Sequence, residues 1–329
     1  MFQNQTILVT GATGSWGHEL VRQLLALDPK EIRLLSRNEF AQVNMKRLFS
    51  DNPKLKFIIG DIRDFPALEN ACKNVDIVFH LAALKHVPIC EAQPDEAMKT
   101  NVKGTENVIR ASISQGVKKV LYVSSDKAVD PINFYGLTKA LGEKLIIHAN
   151  SLSDDTTFAC IRGGNVLGTN GSVVPFFKKL ILEGKDIPLT HRQMTRFFLT
   201  VPDAIQLLLT AAVDSVGGEM FVMKMKACNI VDLANVMIEH FGKHDIKLTD
   251  IGIRPGEKIH ELLISEYESP NTYEFSSNYY VILPSNASSM LQEQYRKLPK
   301  VNFKRYESSN YPMPKSEIES LLIRGGFLN

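Results

Sequence analysis

The sequence predicts an α/β protein with a Rossmann-type, doubly wound parallel sheet and a smaller C-terminal part. Three observations predict this class. Short apolar runs alternate with amphipathic patterns over the first 165 residues, glycines recur after the first run, and the pattern becomes less regular afterwards. Strand–helix–strand repeats with short connections are typical of a parallel sheet that helices cover on both faces.

The predicted elements follow in chain order. Strands are expected where short apolar runs are bounded by turn residues, at 6–10, 31–36, 56–60, 76–82, 119–125 and 157–163. Helices are expected where apolar residues recur at helical spacing, at 15–27, 38–49, 95–115 and 173–183. Residues 195–213 predict a turn and a helix, and a further helix is capped by Asn229 or Asp232. The chain from residue 265 is polar and irregular.

Composition and charge exclude several classes of protein. The formal net charge is +2, which gives no strong electrostatic case for a nucleic acid or an anionic membrane as partner. No apolar run reaches the roughly 18 residues of a membrane-spanning helix, and the N-terminus lacks a signal-peptide pattern. The four cysteines form no CxxC pair, so no metal site is predicted. We expect a cytoplasmic protein.

A glycine-rich loop follows the first predicted strand. In the stretch TILVTGATGSWG, Gly11, Gly14 and Gly17 recur every three residues before a predicted helix. These glycines allow a tight turn, a close approach of the backbone to a pyrophosphate, and close helix–strand packing. The helix N-terminus adds N–H groups and a positive dipole for the phosphates. The loop therefore predicts a dinucleotide site, whose other members are Thr13, Ser15 and Trp16.

The ends of the next strands predict which dinucleotide binds. The second strand runs into Ser36, Arg37 and Asn38, where an NAD site usually has an Asp or Glu for the ribose hydroxyls. Because Arg37 can pair bidentately with a 2′-phosphate, the sequence predicts NADP over NAD. Further cofactor contacts are expected after strands three and four, at Asp61 and Ile62 near the adenine and at Leu81, Ala82 and Ala83 farther along.

Two pairs of proton-moving side chains lie in the stretch VSSDKAVDPINFYGLTK, residues 123–139. Tyr135 and Lys139 are four residues apart on a predicted helix and share one face. An ammonium beside a phenol lowers the pKa of the phenol, which yields a base that can start the oxidation of a hydroxyl. Asp126 and Lys127 place a second acid and amine directly after the fifth strand.

These features resemble the extended short-chain dehydrogenase/reductase superfamily. The matching segments are TGATGSWG, HLAAL, KTNVKGTENV with Asn101, VSSD, and the Tyr135/Lys139 pair. Within that superfamily the chain resembles the UDP-N-acetylglucosamine 4,6-dehydratases, in particular the C5-inverting branch used for pseudaminic acid. The segments AALKHVPICE, GNVLGTNGSVVPFF, MTRFFLT and RPGEKIHE carry this resemblance, which spans about residues 5–265.

The resemblance implies a lyase reaction on UDP-N-acetylglucosamine. Tyr135, helped by Lys139 and Ser125, takes the proton of O4 while hydride passes to NADP. Lys127 then removes the hydrogen of carbon 5, provided that burial keeps part of its amine neutral. Asp126 protonates the leaving hydroxyl of carbon 6. The hydride returns to carbon 6, and protonation of carbon 5 from the opposite face inverts it, so NADP stays tightly bound and is regenerated each turnover.

The resemblance also implies a set of substrate-binding residues. Lys85 is expected beside both the cofactor and the sugar, and Asn165 beside the sugar. Arginine forks suit phosphate, so Arg196 and Arg254 are expected, with Glu257, at the pyrophosphate and the uridine ribose. The remaining members are Ser172 and Val173.

Two positions, Tyr135 and Gly163, are informative when they are compared with the relatives that the chain resembles. Tyr135 stands where several retaining, often membrane-anchored relatives have Met, which favours inversion. Gly163 stands where relatives often have an aromatic residue, which predicts a larger pocket near Asn165.

Residues 1–165 are expected to bind NADP and carry the catalytic residues. Residues 166–329 are expected to bind the substrate, with parts that return to the Rossmann sheet. The resemblance implies a homo-oligomer, a dimer or a hexamer.

Several alternatives stay open at this point. The enzyme can be a retaining 4,6-dehydratase, or it can release the 5,6-ene before the hydride returns. It can also be a 4-epimerase or reductase of the same superfamily, although such enzymes do not need the Asp126–Lys127 pair. A non-catalytic NADP-sensing protein is the remaining alternative, and the intact set of Ser125, Tyr135 and Lys139 argues against it.

Overall fold

The computed structural model describes residues 1–168 and 172–328. The strands within these ranges are β1 (Thr6–Thr10), β2 (Glu31–Ser36), β3 (Leu55–Ile59), β4 (Ile77–His80), β5 (Lys119–Val123), β6 (Thr157–Arg162), β7 (Asn165–Val166), β8 (Ile187–Leu189), β9 (Thr195–Leu199), β10 (Met220–Met223), β11 (Ala227–Asn229), β12 (Leu248–Asp250), β13 (Leu262–Ile264), β14 (Thr272–Glu274), β15 (Tyr279–Ile282) and β16 (Tyr306–Glu307).

The helices in the same part of the chain are α1 (Ser15–Leu25), α2 (Glu39–Leu48), α3 (Phe65–Cys72), α4 (Val87–Ala92), α5 (Pro94–Ala97), α6 (Gly104–Ser114), α7 (Phe134–Ala149), α8 (Val173–Leu182), α9 (Val201–Asp214), α10 (Ile230–His240), α11 (Ser289–Tyr295) and α12 (Lys315–Arg324). No helix of this described part is long and apolar enough to cross a membrane.

The main sheet has the strand order β14-β15-β10-β6-β5-β4-β1-β2-β3. Within this sheet, β1 to β6 and β10 run parallel to one another. The strands β15 and β14 add an antiparallel edge beside β10. The six strands predicted from apolar runs are β1 to β6, and the predicted fold class is confirmed. The strand order reverses between β1 and β4. In open α/β sheets, ligands bind at the carboxyl ends of the strands beside such a switch point.

The second half of the chain contains strands that the apolar pattern did not predict. The stretch expected to be a turn, TRFFL, is β9, and it pairs with both β7 and β11. The polar region after residue 265 supplies β14 and β15 to the main sheet. These strands are three to five residues long. Such short strands show too few alternations to be recognised by periodicity.

Two hydrophobic cores lie on either side of a cleft. The larger core surrounds the main sheet and includes Leu8, Phe79 and Leu121. The smaller core belongs to the C-terminal lobe, which is formed by α8, α10, α12, β8 and β12, and it includes Phe177 and Leu233. The cleft between them is lined by both polar and apolar side chains, among them Lys127, Glu257, Phe176 and Phe198.

The helix predicted over 95–115 is interrupted by a π-helical segment, Met98–Lys103. Asn101 lies in this segment and is buried. Its Oδ1 accepts a hydrogen bond from the backbone N–H of Leu84 at 2.8 Å, and its Nδ2 donates to the Leu84 carbonyl and to Thr138 Oγ1, both at 2.9 Å. The wider turn thus lets one amide fix the loop after β4 against α7.

A buried ion cluster joins the main sheet to the chain beyond it. Arg162, at the end of β6, is 2% exposed. It donates to both oxygens of Glu143 on α7 at 2.9 and 2.8 Å, to Glu268 at 3.1 and 2.9 Å, and to the Leu263 carbonyl at 2.8 Å. Loss of one partner in such a cluster leaves an uncompensated buried charge, which is strongly destabilising.

We predict that Arg162→Met lowers the free energy of unfolding by about 3–5 kcal/mol, because the carboxylates of Glu143 and Glu268 lose their shared cation. Urea unfolding followed by circular dichroism measures the change. The matched control is Arg296→Met, which removes an exposed pair with Glu293 and costs less than about 1 kcal/mol. Equal unfolding midpoints for the two variants would contradict the structural role of the cluster.

Candidate active site

Two neighbouring cavities open at the carboxyl ends of the parallel strands. The glycine-loop cavity, of about 560 Å³, runs along the loop after β1 and the ends of β4 and β5. The lobe cavity, of about 740 Å³, lies between the main sheet and the C-terminal lobe. Lys127, Asn165 and Ser172 line both cavities. These three residues therefore mark a junction at which a ligand in one cavity meets a ligand in the other.

The glycine loop has the geometry that a pyrophosphate site requires. Gly11 has a φ of +68°, and a Cβ at this position would lie 2.8 Å from the Ala82 backbone. A Cβ on Gly17 would lie 2.0 Å from the Ala12 carbonyl oxygen, whereas one on Gly14 would meet only the Gly11 carbonyl, at 3.4 Å. No side chain caps the N-terminus of α1 and no acid lies in its first turn. This positive helix end suits the phosphates of a dinucleotide.

Among Ser36, Arg37 and Asn38, at the end of β2, Arg37 is the residue with a charged and exposed side chain. Its Nη1 lies 3.7 Å from Asp61 Oδ2, and its side chain is 49% exposed. Asp61 is held more tightly by Arg63, which donates to Oδ2 at 2.9 and 2.7 Å. Burial raises the pKa of Asp61, but the hydrogen bonds from Arg63 outweigh it and the net pKa is lowered. The Arg37 guanidinium is therefore free to turn toward a phosphate.

Three nearby residues expected at the cofactor make contacts within the local fold. The buried Ser36 hydroxyl accepts a hydrogen bond from Gln42 at 3.0 Å. The Asn38 side chain caps α2 by accepting from the N–H of Ala41 at 2.9 Å. Ile62 is 4% exposed and packs in the main core. These side chains stabilise the local fold, and the expected contacts of Ser36, Asn38 and Ile62 with the cofactor stay a prediction.

The predicted cofactor residues on the glycine loop, after β4 and on α7 line the glycine-loop cavity. The exception is Thr13, which is half-buried. Leu81, Ala82 and Ala83 follow β4 along its wall, and exposed Lys85 lies beyond them. Trp16 packs partly against the main core while it also lines the cavity. Ser125, Lys127, Tyr135 and Lys139 line the same cavity. The predicted cofactor site and the predicted reacting residues therefore share one space.

Tyr135 lies in the first turn of α7 and is 8% exposed. Asn133 caps this helix by accepting from the N–H of Gly136 at 2.8 Å. A Cβ on Gly136 would lie 2.1 Å from the Lys127 carbonyl oxygen, so only glycine allows α7 to approach so closely. This contact fixes the phenol of Tyr135 beside the segment that carries Asp126 and Lys127.

The electrostatics of Tyr135 differ from the expectation. Burial raises its pKa to about 12, while the charge of Lys127 and a hydrogen bond with Ser125 act in the opposite direction. Lys139 Nζ instead donates to the Val123 carbonyl at 2.6 Å and lies 3.9 Å from the centre of the Tyr122 ring. The cation that favours the Tyr135 phenolate in this structure is Lys127, and the role expected for Lys139 stays a prediction.

Ser125, Asp126 and Lys127 form one compact turn after β5. Asp126 is 1% exposed, and its Oδ1 accepts from Ser125 Oγ at 2.7 Å and from Lys127 Nζ at 3.1 Å. Its Oδ2 is buried and has no hydrogen-bond partner within residues 1–168 and 172–328. Asp126 thus holds two donors on one oxygen and keeps the other oxygen unpaired.

Lys127 is surrounded by oxygen atoms at the junction of the cavities. Besides Asp126, its Nζ lies 3.4 Å from Asn165 Oδ1 and 3.6 Å from Glu261 Oε1. Burial lowers the pKa of Lys127, but the carboxylates of Asp126 and Glu261 outweigh burial and the net pKa is raised. The expectation that burial keeps part of this amine neutral is therefore wrong for the ligand-free protein.

The predicted substrate residues other than Lys85 all line the lobe cavity: Asn165, Ser172, Val173, Arg196, Arg254 and Glu257. Arg254 is 59% exposed and lies 4.0 Å from Glu257 Oε1. The Ser172 hydroxyl, the Asn165 Nδ2 and the Glu257 Oε2 are buried without hydrogen-bond partners among the described residues. These polar atoms are available to a ligand. Three residues of the same motif, Thr169, Asn170 and Gly171, lie outside the described residues.

Arg196 does not have the free guanidinium that a phosphate ligand needs. Its Nη1 donates to the Thr195 and Ile259 carbonyls at 2.8 and 3.0 Å, and its Nη2 donates to the Lys258 carbonyl at 2.8 Å. Its Nε lies 3.4 Å from Glu261 Oε1. Without a ligand, Arg196 therefore holds the loop that carries Arg254 and Glu257, and its expected contact with a phosphate stays a prediction.

The expected enlargement of the pocket at Gly163 is absent from the described structure. Gly163 is buried, and a Cβ there would lie 3.1 Å from Met223 Sδ. The fully buried Met223 side chain fills the space that an aromatic residue would need. The Gly163 carbonyl instead accepts a hydrogen bond from the N–H of Asp126 at 3.0 Å, which orients the reacting turn.

Sequence reasoning missed Glu261 and Lys258 as members of the site. Glu261 is 2% exposed and contacts Lys127, and Lys258 donates to the Val129 carbonyl at 2.5 Å. Both lie in the quoted motif RPGEKIHE and line the lobe cavity. Only the motif itself pointed to them, because nothing in the spacing shows that this loop folds back onto the turn after β5.

The chain is similar to known proteins over most of its length. The family model described as a polysaccharide biosynthesis protein matches residues 7–283. A UDP-N-acetylglucosamine 4,6-dehydratase (inverting) from Campylobacter jejuni is 44% identical to this chain, with 98% of each sequence covered. A UDP-glucose 4-epimerase from Rickettsia akari is 45% identical, with 80% of this chain and 79% of the relative covered.

Solved structures share the fold. Pen from Bacillus thuringiensis superposes with a TM-score of 0.90 and 39% identity, covering 98% of this chain and 99% of the other. DesIV, a dTDP-glucose 4,6-dehydratase from Streptomyces venezuelae with NAD and TYD bound, has a TM-score of 0.71 at 24% identity, covering 77% of this chain and 86% of the other. At that lower identity the similarity concerns the fold alone.

Lys139 provides a prediction on stability and pH. Burial lowers its pKa to about 7, below the value of roughly 10.4 in an unfolded chain. Between these values the unfolded state binds more protons, so the free energy of unfolding rises with pH by up to about 1.4 kcal/mol per unit. Urea unfolding of the wild type at pH 7 and pH 9 measures this rise, and Lys139→Met should lack it.

Lys144→Met, on an exposed position of the same helix, is the matched control and should keep the pH dependence of the wild type. If Lys139→Met and the wild type gain stability equally from pH 7 to pH 9, the buried amine does not titrate as the structure implies.

Proposed function

The chain belongs to the family described as polysaccharide biosynthesis protein, and from this premise we propose that it is a UDP-N-acetylglucosamine 4,6-dehydratase that inverts carbon 5. The product is UDP-2-acetamido-2,6-dideoxy-β-L-arabino-hex-4-ulose, and the enzyme is a lyase that eliminates water. The observation that carries the proposal is the position of Lys127, paired with Asp126, at the junction of the two cavities beside Tyr135.

The Asp126–Lys127 pair separates this proposal from a 4-epimerase. Epimerisation at carbon 4 needs a base at O4 and a hydride acceptor, which Tyr135 and the glycine-loop cavity supply. It needs no further acid and base for carbons 5 and 6. Burial of a carboxylate and its amine partner costs desolvation free energy, and such pairs beside a ligand cavity are typical of functional sites. Elimination of water is the step that uses both groups.

The cofactor is a nicotinamide dinucleotide, and its site is the glycine-loop cavity. When bound, this cofactor supplies the hydride acceptor for carbon 4 and the hydride donor for carbon 6. The N-terminus of α1 holds the pyrophosphate. We assign NADP rather than NAD because the exposed Arg37 is placed after β2, where the 2′ substituent of the adenosine ribose binds in this fold.

Tyr135 performs the proton transfer of the oxidation. Its phenol takes the O4 proton of the sugar while the charge of Lys127 stabilises the phenolate. Lys139 fixes the end of β5 through the Val123 carbonyl, and its amine lines the same cavity as the phenol. The resulting ketone at carbon 4 acidifies the hydrogen of carbon 5, which makes the elimination possible.

The lobe cavity holds the nucleotide end of the substrate. Arg254 and Glu257 lie on the loop at its mouth, and Arg196 fixes that loop through two backbone carbonyls, those of Lys258 and Ile259. Asn165 and Ser172 present unpaired polar atoms at the junction, where the hexose binds. Under this proposal residues 1–165 bind the cofactor and carry the reacting groups, and residues 166–329 supply most of the substrate contacts.

Asp126→Asn should abolish dehydration. The amide keeps the shape of the side chain but cannot exchange a proton with the sugar, and loss of such a group costs about 100- to 10,000-fold in rate. Mass spectrometry of UDP-N-acetylglucosamine incubated with enzyme and NADP measures a product lighter by one water. Asp130→Asn, at an exposed position with a φ of +42° that asparagine tolerates, is the control and should act as the wild type.

Normal dehydration by Asp126→Asn would refute the role of the pair. A wild-type enzyme that converts UDP-N-acetylglucosamine into its 4-epimer without loss of mass would instead favour the epimerase alternative.

Arg37→Asp should raise the dissociation constant for NADP about tenfold or more, because a charge-assisted pair with the 2′-phosphate is lost. The constant for NAD should change much less, and titration calorimetry measures both. Arg47→Asp, in the exposed last turn of α2, is the control. If Arg37→Asp leaves NADP binding unchanged, the preference for NADP is wrong while the dehydratase proposal stands.

A further inference from the structure

The proposed dehydratase binds its substrate partly through the loop of residues 254–258, called here the substrate loop, which supplies Arg254 and Glu257 to the lobe cavity. Within that proposed function, on which this inference rests, we propose that Asn133 is a positioning residue for the substrate. Its one side-chain amide joins the substrate loop to the first turn of α7, which carries Tyr135. The hydrogen bonds at the two ends of this amide are the observation that carries the proposal.

Both polar atoms of the Asn133 side chain have a backbone partner. Oδ1 accepts from the N–H of Gly136 at 2.8 Å and so caps α7, and Nδ2 donates to the Gly256 carbonyl at 2.8 Å. Because the first partner is a donor and the second is an acceptor, one orientation of the amide satisfies both. Serine, threonine or aspartate can also cap a helix, so capping alone does not require asparagine. The contact with Gly256 is the part of the arrangement that needs an amide nitrogen.

The substrate loop forms a tight turn that lies directly on Asn133. The N–H of Glu257 donates to the Arg254 carbonyl at 3.1 Å, and Gly256 has a φ of +79°. Proline at the second position and a glycine with positive φ at the third are typical of a type II turn. A Cβ on Gly256 would lie 3.0 Å from Asn133 Cβ, so a side chain at this position would crowd the asparagine. The turn therefore has a defined shape, and its position depends on what holds Gly256.

Two further contacts hold the chain that follows the turn. Lys258 Nζ donates to the Val129 carbonyl at 2.5 Å, and Arg196 donates to the carbonyls of Lys258 and Ile259 at 2.8 and 3.0 Å. Both contacts lie after the turn, whereas Asn133 holds the turn itself. Loss of the Asn133 donor should therefore leave the substrate loop folded and change where its turn lies.

Arg254 needs such a support because its side chain is 59% exposed. A flexible, exposed side chain that becomes ordered on binding loses affinity to the entropy of ordering, and a turn that is fixed beforehand lowers this cost. The same amide caps α7 two residues before Tyr135, so the contacts to the nucleotide and the phenol that takes the O4 proton share one anchor. Asn133 thereby keeps the nucleotide contacts in register with the reacting phenol.

Titration calorimetry with UDP as the probe and NADP-loaded protein tests this role. Asn133→Ser keeps a helix cap but removes the amide that reaches Gly256, so the dissociation constant for UDP should rise roughly three- to tenfold. The constant for NADP and the urea midpoint should stay close to those of the wild type. With UDP-N-acetylglucosamine as substrate, KM should rise by a similar factor while kcat changes by less than about twofold.

Two control variants separate the roles of the amide. Ser288→Asn makes the reverse exchange at the cap of α11 and should leave UDP binding unchanged. Asn133→Ala removes the cap as well, so it should weaken UDP binding like Asn133→Ser and also lower the urea midpoint. Equal UDP binding by Asn133→Ser and the wild type overturns the inference. An Asn133→Ser protein whose affinities for UDP and NADP fall together with its urea midpoint also overturns it, since the residue is then only structural.

A double-mutant cycle shows whether Asn133 acts through Arg254. Arg254→Met alone should weaken UDP binding, and Asn133→Ser should then add less than about twofold, because the turn no longer presents a guanidinium. Effects that multiply in full mean that Asn133 contacts the nucleotide itself, and the positioning role is overturned. A wild type that does not bind UDP contradicts the proposed function instead, so the two failures are distinguishable.

Discussion

The active-site architecture depends on one amine held between two buried carboxylates. Lys127 lies 3.1 Å from Asp126 and 3.6 Å from Glu261, where the glycine-loop cavity meets the lobe cavity. Two buried acids without this cation would leave uncompensated charges, and the cation without them would lose its proton to burial. The carboxylates of Asp126 and Glu261 outweigh burial and raise the pKa of Lys127, so the charge of the amine depends on both neighbours.

The fold brings these groups together from distant parts of the chain. The end of β5 carries Ser125, Asp126 and Lys127, and Gly136 lets α7 approach the same turn with Tyr135. The chain then builds the lobe and returns through the loop before β13, which Arg196 ties down by its backbone carbonyls. The switch point of the parallel sheet thus lies where the glycine-loop cavity, lined mostly by the first half of the chain, meets the lobe cavity, lined mostly by the second.

The sequence predicted the parts of this structure that have local causes. Apolar runs and glycine spacing gave β1 to β6 and the nucleotide loop, and motif resemblance gave the reacting turn and the cavity residues. Features that depend on tertiary contacts were missed. The Met223 side chain fills the space beside Gly163, carbonyls occupy the guanidinium of Arg196, and Glu261 reaches Lys127 only through the folded chain. The short strands β14 and β15 offer too little periodicity to be recognised.

The most direct test of this account is a crystal structure of the Asp126→Asn protein with UDP-N-acetylglucosamine and NADP bound. The account predicts the hexose at the junction of the two cavities, with carbon 4 beside Tyr135, carbons 5 and 6 beside residues 126 and 127, and the nucleotide in the lobe cavity near Arg254. A complex in which the side chains at 126 and 127 point away from the bound sugar would contradict it.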